Sequence, residues 1–139
     1  MIALDTNILI YLLVSSQPEH LRAKQWLEQN TASLATTHTN IGETLRLLTH
    51  PRVFSRPLDL ERAVMLLDGF LTEFDVATLT DSERWWTELV PQSEGARYLR
   101  GNEVFDARIA LCLRHHGISK ICTLDSDFEK YPFLKIIRI

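Results

Sequence analysis

The residues of this chain with the clearest chemical potential are acids, and they stand where apolar runs end and helical patterns begin. Asp5 closes the short apolar run Ile2-Ala3-Leu4 and is followed by a second run over residues 8–14. Glu43 and Asp106 each sit near the start of an amphipathic stretch, and Asp125 and Asp127 follow the run Ile121-Cys122-Thr123-Leu124. Carboxylates gathered in one place repel one another, so such a set requires a cation. All-oxygen ligands select a hard ion, Mg²⁺ or Mn²⁺. Mg²⁺ takes one or two carboxylates and keeps several waters, which leaves room for a phosphate oxygen and an attacking water.

Asp106 is the most informative of these acids. Its neighbours three, four and seven positions on are Ile109, Ala110 and Leu113, so its side chain falls on the inward stripe of a helix. An unpaired charge there is costly, and a cation shared with Asp5 compensates both. Each acid also has a purely structural explanation. Glu43 stands three residues after Asn40, close to a capping-box arrangement. Asp106 can complement a helix N-terminus, Asp5 can cap a helix, and Asp125-Ser126-Asp127 can be turn chemistry. Their joint placement favours chemistry. With right-handed crossovers, strand ends and helix N-termini lie along one edge of a parallel sheet.

Positioning these acids requires strands that alternate with helices. Strands are expected at residues 2–4, 33–36, 74–78, 119–124 and 135–139. Helices are expected from residue 6 to about 14, over 19–30 with Leu21, Trp26 and Leu27 facing the core, and over 41–49 with Asn40 as N-cap, ending before Pro51. Further helices are expected over 58–74, over 81–89 with Thr80 or Asp81 as cap, and over 102–116 with Asn102 as cap and Gly117 as the terminating glycine. Residues 50–57 read as a surface loop, and residues 91–101 give no clear pattern. The alternation predicts one α/β domain over residues 1–139, with a central parallel sheet and helices on both faces.

Composition narrows the function classes. A chain of 139 residues that is 45% hydrophobic supports a globular core. The formal charge of −3 argues against broad, non-specific nucleic-acid binding, so a polyanion must be held by a local cationic patch or by metal. The N-terminal run carries Asp5 and no preceding Lys or Arg, unlike a signal peptide, and no run approaches a membrane span. Cys112 and Cys122 fall in apolar patterns and read as buried free thiols in a reducing cytoplasm.

The motifs Leu4-Asp5-Thr6-Asn7, the Glu43 helix, Asn102-Glu103-Val104-Phe105-Asp106-Ala107 and Thr123-Leu124-Asp125-Ser126-Asp127-Phe128 together resemble those of PIN-domain ribonucleases, and more closely the VapC toxins of VapBC toxin–antitoxin pairs. The stretch Arg46-Leu47-Leu48-Thr49-His50-Pro51-Arg52-Val53-Phe54 is similar to a mycobacterial-type subgroup of those toxins. The resemblance spans essentially the whole chain. It implies a parallel sheet of about five strands and Mg²⁺-dependent cleavage of RNA, with Mn²⁺ as a plausible substitute. It also implies a homodimer, and inhibition by a small VapB-like antitoxin, in a higher assembly with it. Asp5 and Asp106 match the family's principal metal ligands, and Glu43 its second acid. Both Asp125 and Asp127 fit the fourth position. Asp125 is nearer the strand end and is favoured, with Thr123, Thr6 and Asn7 as turn-positioning neighbours. The expected reaction is hydrolysis of an RNA phosphodiester by a metal-activated water.

From residue 44 to residue 58 there is no acid, but Arg46, His50, Arg52 and Arg56 are present. This patch follows Glu43 and can hold an RNA backbone or an acidic partner, or be a solvated loop. Arg97, Arg100 and Arg108 are candidates for an opposite rim. Trp85-Trp86 places rings about 100° apart on a helix, so one ring is expected at the surface. His115-His116 reads as complementation of a helix C-terminus. A phosphoacceptor receiver domain wants an acid pair after its first strand, and a haloacid-dehalogenase-type phosphatase wants an acid where Asn7 stands. A dinucleotide-binding unit wants a glycine-rich turn that is absent here. The remaining alternative is a non-catalytic PIN scaffold that grips RNA or a partner. The intact acidic set argues against it.

Overall fold

The computed structural model describes residues 1–92 and 98–139. Arg97, one of the candidate rim residues, lies outside them. Five strands form one parallel sheet: β1 (Ile2–Leu4), β2 (Leu34–Thr37), β3 (Ala77–Leu79), β4 (Lys120–Cys122) and β5 (Lys135–Ile137), in the order β3-β2-β1-β4-β5. β1 is central, with Ala3 aligned with Ala35 on one side and Ile121 on the other. The chain moves outward to β2 and β3, then crosses to β4 and β5. The reversal leaves a crevice beyond the carboxyl ends of β1 and β4, where sheets of this kind hold their ligands.

Among the described residues, six α-helices connect the strands: α1 (Thr6–Leu13), α2 (His20–Gln29), α3 (His38–Leu48), α4 (Leu60–Glu73), α5 (Trp85–Gln92) and α6 (Glu103–His115), with a short 3-10 helix at Ser126–Lys130. The α/β alternation expected from the sequence is present, with several boundary corrections. The third helix begins at His38, because Thr37 rather than Asn40 caps it: Thr37 Oγ1 accepts from the Asn40 amide at 3.2 Å. Glu43 therefore lies beyond the first turn. The third strand starts at Ala77, since Phe74 closes α4 and Asp75 turns with φ +48°. The helix expected from residue 81 begins at Trp85, because Asp81 is drawn into an ion pair with Arg108 at 2.6 Å. Asn102 stands at the start of α6 without a side-chain capping bond. Leu21 is not core; it is 72% exposed, and Ala23 is the buried face of α2. Gly117 ends α6 at φ +67°, as its position after the helix predicts.

Two apolar clusters sandwich the sheet. One gathers Ile109, Ala110 and Leu113 of α6 with Ile121 and Phe128, and the other gathers Ile8 and Leu9 of α1 with Leu4, Leu34 and Phe70. Each fully buried Leu, Ile or Phe contributes about 1.5–3 kcal/mol of transfer free energy. The inward stripe that carries Asp106 is thus confirmed by its partners. Cys112 and Cys122 are free and buried, and burial pushes both thiols up to about 12, which leaves them inert. No helix among the described residues is long and apolar enough to cross a membrane.

Candidate active site

The crevice beyond β1 and β4 is built around Asp5. Its backbone N–H donates to Cys122 O, which ties the end of β1 to β4, and its carboxylate caps α1. Four donors converge on that carboxylate. The Thr6 amide and Asn40 Nδ2 donate to Oδ1 at 2.7 and 3.1 Å, and Asn7 Nδ2 and Thr123 Oγ1 donate to Oδ2 at 3.0 and 2.6 Å. Asp5 is nonetheless 6% exposed, and burial outweighs the bonds from Thr123 and Thr6, raising its pKa to about 6. The charges of Glu43 and Asp125 add to the rise.

Asp106 presents the opposite case. Its carboxylate accepts no hydrogen bond among the described residues, and it is only partly buried. Burial raises its pKa first, then the charges of Asp125, Asp5, Asp127 and Glu43, to about 7. One group therefore feels all the other acids singled out in the sequence. Oxygens of Asp106, Asp125 and Asp127 lie within 4.8 Å of one another. Asp125 Oδ1 also accepts from the Asp127 amide at 2.8 Å, which starts the 3-10 helix. Asp127 is exposed and leans toward Lys130, whose Nζ is 3.7 Å from its Oδ1. Among the described residues Asp125 has no such ion pair, so it carries the less compensated charge of the two.

Glu43 reaches the group through Thr6, whose Oγ1 donates to Oε2 at 2.7 Å. It does not close a capping box. Among the described residues no salt bridge reaches Asp5, Glu43, Asp106 or Asp125. An all-carboxylate set, with two members raised toward neutrality and, among the described residues, an ion pair only from Lys130 to the exposed Asp127, fits a hard divalent ion. Among the described residues, Asp106, Asp125 and Asp127 are the carboxylates close enough together to share such an ion, while both oxygens of Asp5 are taken by its four donors.

Some of the site's supports escaped the sequence. Asn40, read there as a cap, is a fully buried clamp that bonds both Asp5 and Thr6 Oγ1, the latter at 3.0 Å. Thr123 orients the turn as expected, accepting from the Asp125 amide at 2.9 Å, while Arg138 Nη1 donates to its carbonyl at 3.1 Å. Tyr131 is buried, its hydroxyl has no hydrogen-bond partner among the described residues, and burial together with Asp106, Glu103 and Asp127 pushes it up to about 12. No local pattern announces a residue whose partner lies tens of positions away.

The basic residues divide. Arg46 borders an open hollow that it shares with Glu43, Phe105 and Arg108. Arg52, Arg56 and Arg100 are exposed and do not line it. Arg108 is fixed: it donates twice to Asp81 Oδ2, at 3.0 and 2.6 Å, and lies 4.2 Å from the Trp85 ring. Trp86 is the exposed member of the tryptophan pair. His115 pairs with Glu88 at 2.9 Å and His116 Nε2 meets Thr80 O at 2.9 Å, so both pack against neighbouring structure as well as ending a helix.

Comparison with known proteins agrees with this geometry. The family model for the PIN domain matches residues 2–134. The chain is 31% identical to ribonuclease VapC24 of Mycobacterium tuberculosis over 143 aligned residues, covering 98% of this chain and 94% of that protein. The crystal structure of M. tuberculosis VapC20, described as a Sarcin-Ricin loop cleaving toxin, superposes with a TM-score of 0.67 at 23% identity, covering 93% of each chain. A toxin–antitoxin complex from Klebsiella pneumoniae superposes with a TM-score of 0.63 at 22% identity, covering 99% of this chain and 96% of that one. With the motif order, the sheet and the carboxylate crevice in agreement, the chain belongs to the PIN-domain family and, within it, to the VapC ribonucleases.

Proposed function

We propose that this protein is a Mg²⁺-dependent endoribonuclease, the toxin of a type II toxin–antitoxin pair, acting in the cytoplasm as a homodimer restrained by a VapB-like antitoxin. The observation that carries the reading is the pairing of Asp5 and Asp106. Both are raised toward neutral pH by burial, Asp5 further by the charges of Glu43 and Asp125 and Asp106 by those of Asp125, Asp5, Asp127 and Glu43, and neither has a salt bridge among the described residues. The names of the relatives support RNA as the substrate class, and the toxin–antitoxin complex among the structural neighbours supports the antitoxin.

Asp5 and Asp106, with Asp125 beside them, would hold a divalent ion, which when bound would supply Lewis acidity and ease ionisation of water. The chain's own residues do the rest. Asn7, Asn40, Thr6 and Thr123 fix the Asp5 carboxylate so that it needs no reorganisation. Thr6 holds Oε2 of Glu43, leaving Oε1 to orient the attacking water and accept its proton. Attack by water leaves 3′-hydroxyl and 5′-phosphate ends. Ends bearing 2′,3′-cyclic phosphate would sink this mechanism, since they require the ribose hydroxyl as nucleophile.

The test is cleavage of total cellular RNA by purified protein with Mg²⁺ or with EDTA, beside Asp5→Asn and Asp106→Asn. Discrete cuts that need Mg²⁺ and vanish in both variants are expected. Absence of cleavage together with absence of Mn²⁺ binding by calorimetry would favour the second reading, a non-catalytic PIN scaffold that holds RNA or a protein partner.

A further inference from the structure

We propose that the hollow between α3 and the start of α6 receives one unstacked nucleotide of a single-stranded RNA, its base against the Phe105 ring and its phosphate at Arg46. This assignment rests on the ribonuclease reading and names how that site grips its substrate. The hollow encloses about 490 Å³ and is continuous with the carboxylate crevice, because Glu43 belongs to both. Its size falls within the range of about 300–1,000 Å³ typical of ligand pockets.

Four of its wall residues point to a nucleotide. Phe105 is 45% exposed and adjoins Asp106 in sequence. Successive helical residues point about 100° apart, so one turn of α6 offers a carboxylate to the metal crevice and an aromatic face to the hollow. An exposed aromatic beside a phosphodiester-cleaving centre is the platform on which bases stack, irrespective of sequence. Arg46 is an exposed cation with no ion pair among the described residues, available to a phosphate. Asn102 makes no capping bond, so its amide is free to meet a base edge or a ribose hydroxyl.

Gly42 is the fourth. It sits inside α3, where glycine costs about 1 kcal/mol relative to alanine. A Cβ there would meet nothing within 4 Å, so nothing in the fold requires glycine. It lines the hollow, and the missing side chain leaves room for an occupant. Arg108, already committed to Asp81 and Trp85, makes a fixed part of the wall. A base paired within a duplex is stacked on both faces and cannot enter, so the hollow selects loops and single strands.

The probe is a fluorescein-labelled, mixed-sequence single-stranded RNA of twelve nucleotides. Binding is read by anisotropy with Ca²⁺ in place of Mg²⁺, and KM for its cleavage is read with Mg²⁺. Phe105→Ala is expected to weaken binding and raise KM by about 5- to 150-fold, the range that stacking worth about 1–3 kcal/mol predicts. Phe105→Trp restores both. Gly42→Leu fills the hollow and weakens binding at least about 5-fold, with a melting temperature no lower than that of the parent. Binding of the same sequence as a duplex changes in none of them. Affinity within twofold of the parent in Phe105→Ala, or in Gly42→Leu, overturns the proposal. So does an equal loss for single strand and duplex. Unchanged RNA affinity joined to loss of a copurifying antitoxin assigns the hollow to a protein partner instead. These failures leave a parent protein that still cuts RNA; a parent that neither binds nor cuts refutes the ribonuclease reading itself.

Discussion

Replacing Asp106 with asparagine should make the metal-free protein more stable while it abolishes cleavage. The carboxylate accepts no hydrogen bond among the described residues, so asparagine breaks none, and it removes a charge held against Asp125, Asp5, Asp127 and Glu43. The ordinary carboxylate value of 3.8 is raised to about 7 in the fold. The native state therefore holds a proton on Asp106 that the unfolded chain releases between those values. Stability must fall as pH rises from about 4 to about 7, and the full cost is present above that window. A shift of this size would convert to about 4 kcal/mol for a fully buried group. Asp106 is partly open to water, which screens the repulsion, so about 1–2 kcal/mol is the working figure. That amounts to roughly 3–7 °C in melting temperature for a domain of this length. The assay is thermal unfolding of parent and Asp106→Asn in EDTA at pH 4 and pH 8. The variant should melt higher at pH 8, and the gap should close at pH 4. A gap of the same size at both values, or a variant less stable at pH 8, would refute the electrostatic account of the site.

Asp5→Asn should behave differently, because an amide NH₂ would face the donors Asn7 Nδ2 and Thr123 Oγ1 or the donors on Oδ1. We expect a loss of about 1–3 kcal/mol by urea unfolding at pH 7, together with loss of cleavage. Adding Mg²⁺ or Mn²⁺ at about one hundred times its dissociation constant should stabilise the parent at pH 8 by about 2.7 kcal/mol. It should leave Asp106→Asn unmoved, and an equal effect on both would place the ion elsewhere. Arg46→Ala should weaken RNA binding and reduce the slope of log affinity against log salt by about one, whereas an unchanged slope removes Arg46 from the backbone contacts.

The parts of the molecule written in local pattern were legible in the sequence. The apolar runs at β1, β2, β4 and β5, the stripe of α6 and its terminating Gly117 all recur in the structure within a residue or two. What the sequence obscured are positions where a distant partner overrides a local preference. Asn40 has the composition of an N-cap, yet it is spent on Asp5, 35 residues away. Asp81 looks like the start of a helix, yet Arg108 takes it, 27 residues on. Leu21 has a core side chain on a helix whose inward face is set by Ala23. At the site, the acids stood out by type, but the clamp of asparagines and threonines did not. Those residues are common in turns, and only the folded arrangement makes them donors to one carboxylate.

The order in which the acids leave the ribosome follows from the sheet. Asp5 is made before Thr123, which donates to its carboxylate from 118 positions later. The turn that carries Asp125 is further secured by Arg138, on Thr123 O and Glu129, after β5 has paired with β4. A growing chain can pair β1 with β2 and bury α1, but its central carboxylate has no β4 beside it until Lys120–Cys122 have been made. Pairings this far apart in sequence also close late and slowly in folding. A chain that lacks β4 is thus without a complete acidic centre. The strand order makes the completed carboxylate cage a late product of folding, dependent on β4 reaching β1.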